Sequence, residues 1–217
     1  DRIGSRLTSI RQKCLVTSAS DTQLPAGSAT VVFGEAILTM QGPGQKAEIV
    51  REAARLLKPG GRYGIHELCL VPEDLDEAIK LEIQHALSQT IRVGARPLTA
   101  NEWRALLEKE GFNVRTEMFR PMRLLKPGRL IQDEGFRGTM RFAWNLLGDA
   151  EARRRVIAMR RVFAKYRRYL SAIMLVGVKG PGRARNGAHP NEPHHNNGTP
   201  FGPRSRLEIS WRRASFF

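Results

Sequence analysis

The chain has 217 residues, which is room for one α/β domain with appendages and a core that needs no disulfide or metal to hold it. Its 36 lysines and arginines stand against 21 acidic residues, and the resulting net charge of +15 would by itself suggest a nucleic acid, an anionic membrane surface or an acidic partner. No apolar run approaches the roughly 20 residues that span a bilayer. Cys14 and Cys69 both lie in apolar, strand-like runs and read as small buried residues of a reduced compartment, so the expectation is a cytoplasmic chain without a membrane partner.

In chain order, Ile3, Leu7 and Ile10 have helical spacing, and Lys13 to Thr17 then reads as a short strand. A polar turn from Ser18 to Gln23 leads to a second strand over Ala29 to Gly34. Gly42-Pro43-Gly44 reads as a turn ahead of a helix from about Gln45 to Leu57, whose inner side is Ile49, Val50, Ala53, Ala54 and Leu57. That helix stops on Lys58-Pro59-Gly60-Gly61, because proline cannot continue it and glycine supplies positive φ, and the backbone enters a strand over Tyr63 to Leu70. The spacing of Leu75, Ile79, Ile83 and Leu87 predicts a helix over Pro72 to Thr90. Thr99, with Glu102 three residues on, predicts a capping box and a helix to Glu110, ended by Gly111. Phe112 to Phe119 reads as a strand. Helices are expected near Arg137 to Leu147 and from Ala150 to about Tyr169, then a last strand within Ala172 to Val178. Strand alternating with helix implies a largely parallel sheet. From Pro181 the composition turns to Gly, Pro, Asn, His and Arg, so residues 181–217 are expected to be a disordered basic tail.

The strand and turn from Leu15 to Pro25, the strand end Val31-Val32-Phe33-Gly34-Glu35-Ala36, the joint Leu57-Lys58-Pro59-Gly60-Gly61 and the later Leu106 to Phe112 together resemble class I S-adenosylmethionine-dependent methyltransferases. The resemblance runs from that family's third strand onward, roughly Leu7 to Lys179. It implies a Rossmann-like sheet, mostly parallel with an antiparallel last strand, that lacks the first strands and the glycine-rich cofactor loop. The domain would be residues 1–180, with residues 119–170 as a helical cap over the acceptor pocket.

The resemblance also implies a set of roles. S-adenosylmethionine would be the cofactor, with Ser18 and Ala19 at the adenine turn and Gly34 and Glu35 facing the sulfonium. Methyl transfer is an in-line displacement that needs positioning and, for some acceptors, removal of a proton, which makes Glu35 the catalytic candidate. His66 and Glu67 would form a second polar wall, and His85, Arg92 and Arg96 would recognise the acceptor, expected to be a small molecule. The uncovered edge of the fourth family strand would need a homodimer partner or another segment to cover it.

The basic helix carries an apolar stripe, Val156, Met159, Phe163, Tyr166 and Leu170, with its arginines mostly off it. A solvated polar face is the ordinary explanation, so nucleic acid is not the expected partner. The alternative reading is a non-catalytic remnant or basic interaction module that binds nucleic acid or another anionic partner through this helix and the tail. His189, His194 and His195 have no cysteine partners at zinc spacing, so no metal is expected.

Overall fold

The computed structural model describes residues 14–121, 150–180 and 208–212, and its six-stranded sheet is built around one long strand. The elements are β1 (Ala29–Glu35), α1 (Pro43–Leu56), β2 (Leu57–Leu70), α2 (Glu77–Ile91), β3 (Leu98–Thr99), α3 (Ala100–Lys109), β4 (Phe112–Pro121), α4 (Ala150–Lys165), β5 (Leu170–Lys179) and β6 (Glu208–Arg212). Sheet order is β4-β5-β2-β1-β6, with the short β3 beside the end of β2. β2 runs parallel to β1 and β3, whereas β5 inserts antiparallel between β2 and β4.

The Pro-Gly-Gly joint is where β2 accommodates a kink. Ala29 is in register with Leu57, yet Val31 is in register with Arg62, so the intervening residues Lys58 to Gly61 bulge out of the ladder. Gly60 has φ +74°, and a Cβ on Gly61 would come within 2.9 Å of the Lys58 carbonyl oxygen and the Leu57 side chain. Both glycines are therefore required by backbone geometry.

Side-chain alternation along β2 divides the core in two. Tyr63, Ile65 and Cys69 face α1 and α3, meeting Ile49, Val50 and Ala53 of the first helix and Trp103 and Leu107 of the other. Leu68 and Leu70 belong to a second cluster, with Ile83 and Leu87 of α2 and Tyr166 and Leu170 at the α4–β5 junction. Thr99 and Glu102 form the expected capping box at the start of α3. α2 begins later than the apolar spacing suggests, at Glu77, because the Asp76 side chain accepts from the Ala78 and Ile79 amides and sets the boundary there.

Three expectations are corrected. Cys14 to Thr17 form no strand; Val16 is fully exposed, Leu15 is nearly half exposed, and the Cys14 thiol is exposed instead of buried. Apolar alternation alone does not make a strand where no neighbouring strand supplies hydrogen bonds. Second, α4 ends at Lys165, with a turn before β5. Third, five residues of the compositionally polar tail, Glu208–Arg212, form a strand parallel to β1. The expected helices over residues 1–12 and near Arg137 to Leu147, and the tail histidines, lie outside the described residues. Among the described residues no helix is long and apolar enough to cross a membrane.

Candidate functional site

The carboxyl end of β1 lies beside the carboxyl-terminal half of β2 and brings Glu35 into register with His66, ahead of the end of β2 at Leu70. His66 Nδ1 is 3.8 Å from Glu35 Oε1, and both side chains are nearly half exposed. Their alignment follows from parallel pairing, which sets side chains of one register on the same side of the sheet. Immediately beyond, the Ala36 amide donates to the His66 carbonyl at 2.9 Å, with Ala36 in the left-handed region at φ +51°. The chain thus turns sharply off β1 directly beside the pair. Gly34 leaves little room, because a Cβ there would lie 3.2 Å from the Ile37 side chain, which would have to give by a few tenths of an ångström.

Glu67 has a different position from the one the resemblance implies. Its side chain is buried beneath the site, 3 % exposed, and so is not a solvent-facing wall. One carboxylate oxygen accepts from the Ile37 and Leu38 amides at 3.0 and 2.8 Å, and the other from the Thr39 amide and hydroxyl at 3.0 and 2.7 Å. Burial pushes this carboxyl above its ordinary range, and the four donors pull the other way. It shares strand parity with Tyr63, Ile65 and Cys69, which is why it points inward. Its effect on the site is to hold the loop after β1 in one conformation.

That loop is anchored further along. The Thr39 carbonyl accepts from the Arg96 amide at 2.8 Å, and the Arg96 carbonyl accepts from Lys46 Nζ. Lys46 is almost completely buried and also lies 5.1 Å from the centre of the Trp103 ring. Burial pulls its amine down from 10.5 to about 8, with Glu67 opposing that shift and Arg96 adding to it. Thr39 and Lys46 are the members of this network that sequence reasoning does not find. Nothing in their spacing marks them, since a lysine on a helix is ordinarily solvated.

The remaining candidates separate from the pair. Arg96 contributes its backbone to the loop anchor. His85 and Gln89 meet at 3.2 Å along exposed α2, and Arg92, at the end of that helix, meets Glu151 of α4 at 3.5 Å. Ser18 and Ala19 sit in a turn closed by a Ser18–Asp21 bridge, where Ser18 Oγ lies 2.9 Å from Ser20 Oγ and Ala19 packs against the main core. The turn is fixed to α1 mainly by Glu52, which accepts from the Thr22 amide and hydroxyl at 2.9 and 2.6 Å and pairs with Arg55. Burial opposes ionisation of Glu52, but the bonds from Arg55 and Thr22 outweigh it and hold the carboxyl at about 2.

A largely parallel sheet with an antiparallel strand inserted between β2 and β4 has counterparts among solved structures. The [4+2]-cyclase SpnF matches with TM-score 0.57 at 17 % identity, over 83 % of this chain and 60 % of that chain. The MccD protein matches with TM-score 0.54 at 16 % identity, over 75 % and 65 % of the two chains. Phosphoethanolamine N-methyltransferase 2 of Haemonchus contortus, crystallised with phosphomonomethylethanolamine and S-adenosylhomocysteine, matches with TM-score 0.51 at 14 % identity, over 76 % and 36 %. The chain has the fold of the class I S-adenosylmethionine-dependent methyltransferases. A cyclase and a methyltransferase share this fold, so the fold does not by itself name the reaction. No family model matches the chain. An uncharacterized protein of Haemophilus influenzae is 30 % identical over 156 residues, covering 71 % of this chain and 60 % of that protein, so the chain spans about 60 % of the length of this curated relative.

The methyltransferase fold implies S-adenosylmethionine, and the described residues fit it only in part. Gly34 and Glu35 lie at a strand end and Ser18 in a turn, as the resemblance implies for two parts of that site. The place next to β1 that would carry a glycine-rich loop is taken by β6, and Arg213 to Phe217, which follow β6, include no glycine. The described residues therefore make no cradle for the methionine end of the cofactor.

Proposed function

We propose that this chain forms the acceptor side of an S-adenosylmethionine-dependent methyltransferase that acts on a small molecule. The observation that carries the reading is the Glu35–His66 pair where β1 ends beside β2, on the side of the sheet where open α/β folds receive ligands. Support also comes from the methyltransferase neighbour crystallised with a small phosphorylated amine.

In this reading Glu35 orients the His66 ring through Nδ1, and His66 Nε2 takes a proton from the hydroxyl or amine of the acceptor. The Glu67-held loop fixes the wall against which the acceptor rests, and α2 with α4 flanks it as part of the cap.

Calorimetric titration with S-adenosylmethionine tests the proposal. Weak saturable binding through the adenosine end alone is expected, because the described residues form no cradle for the methionine end, and a folded sample that binds none overturns the reading for this chain. Where methyl transfer to an acceptor is found, His66→Gln is expected to reduce kcat by about 10²- to 10⁴-fold, the range for loss of a general base.

A further inference from the structure

α4 presents two unlike sides. Val162, Phe163 and Tyr166, at and just beyond its end, pack with Ile79, Ile83 and Leu87 of α2 in the second core cluster. On the opposite side Arg154, Ile157 and Arg161 fall within about 60° of one another at 3.6 residues per turn, and all three are exposed. Arg160 flanks the row, and Arg167 and Arg168 continue it past the helix end, also exposed. From Ala150 to Tyr169 there are seven arginines and one lysine against one acidic residue, Glu151. Glu151 is occupied by Arg92 and Arg155, and Lys165 reaches Glu82 at 2.9 Å. Arg154, Arg160, Arg161, Arg167 and Arg168 have no carboxylate within ion-pair distance among the described residues.

We infer that this outer face of α4 docks the phosphate backbone of a nucleic acid. Size and charge density decide against a small anion. A helix of 16 residues is ~24 Å long, and that length of duplex carries ~14 phosphate charges, so one polyanion meets the whole row while a small anion meets two neighbours at most. Guanidinium groups suit this partner because they bind phosphate oxygens in pairs and stay charged at any working pH. A membrane surface fits less well. An interfacial helix needs a wide apolar face to enter the headgroup region, and α4 spends its apolar side on α2, leaving Ile157 as its exposed large apolar residue. Contacts from the row to phosphate oxygens carry no sequence information, so docking through them is independent of sequence.

The inner side of α4, opposite this surface, packs in a cluster that also holds Met40, from the loop after β1, and Leu68. The outer surface does not depend on methyl transfer, because neither Glu35 nor His66 belongs to it.

Fluorescence anisotropy of the full chain with a short labelled RNA and a DNA duplex, between roughly 50 and 200 mM salt, tests the inference. Binding to both is expected, weakening steeply with salt. The triple variant Arg154→Gln, Arg160→Gln, Arg161→Gln should bind about tenfold or more weakly at low salt, and its salt slope on duplex DNA should be shallower by about 0.9 for each phosphate left unneutralised. An equal charge loss in the tail, Arg183→Gln, Arg204→Gln, Arg206→Gln, should leave the affinity near that of the native chain, as should Glu35→Gln. Circular dichroism checks folding, and Arg161→Glu alone should weaken binding should the triple variant not fold. No binding at low salt overturns the inference. So do equal losses in the helix and tail variants, which net charge alone would give, or binding to phosphatidylserine vesicles without binding to nucleic acid.

Discussion

Glu67 accepts four hydrogen bonds and is offered only donors, so the carboxylate cannot be replaced by its amide without turning an N–H group toward the loop amides. Glu67→Gln is expected to lower stability by about 2–3 kcal/mol, the scale of a buried donor left facing another donor, which urea unfolding will read as a lower midpoint with an unchanged slope. An unchanged midpoint would mean the loop is held by something else. Lys46 gives a pH-dependent counterpart. Its folded-state value of about 8 lies below its ordinary 10.5, so between those limits the unfolded chain binds more protons and stability rises with pH. The rise from this one group amounts to at most about 3 kcal/mol. Lys46→Met should flatten the stability profile over that window, and a profile with the same slope in the variant would show that the amine does not carry it.

At the scale of elements, legibility followed how local the determining interaction is. The capping box of Thr99 and Glu102 and the stop at Lys58-Pro59-Gly60-Gly61 are written within a few residues, and α3 and the end of α1 fall where expected, whereas β2 begins at Leu57 instead of Tyr63 and takes the Lys58 to Gly61 bulge into the strand. The inward direction of Glu67 was present in strand parity, although the resemblance to a family wall pointed outward. β6 could not be read, because a strand of five residues in a polar tail is specified by the free edge it pairs with, and pairing partners distant in sequence leave no periodic mark. Its register with Val31 to Glu35 covers the edge for which a dimer partner or another segment was expected, and the covering segment belongs to this chain. Truncation after Leu207 should therefore raise amide hydrogen exchange in Val31 to Glu35 and produce concentration-dependent association on a sizing column. Unchanged exchange on a chain that stays monomeric would show that β6 contributes nothing to closing the sheet.

For the molecule as a whole, the excess of positive charge is distributed so that attraction cannot cancel it. The main carboxylates of the folded region are committed to specific tasks: Glu67 to the loop after β1, Glu52 to Thr22 and Arg55, Glu102 to the α3 cap and Lys80. Exposed pairs such as Arg155–Glu151 and Lys165–Glu82 are of the kind that contributes little at ordinary salt. The chain's net charge of +15 then leaves self-repulsion as its dominant long-range electrostatic effect, to which the arginines stacked on α4 contribute. Repulsion between exposed charges more than about 10 Å apart is screened near 0.1 M salt, whereas the buried network around Glu67 and Lys46 is screened much less. The melting temperature should accordingly rise by a few degrees as sodium chloride is raised from low ionic strength to about 0.2 M, and the triple α4 variant should begin higher and rise less. A melting temperature that falls with added salt would mean that the surface ion pairs outweigh the repulsion, and α4 would then be an electrostatically satisfied helix instead of a face held ready for a polyanion.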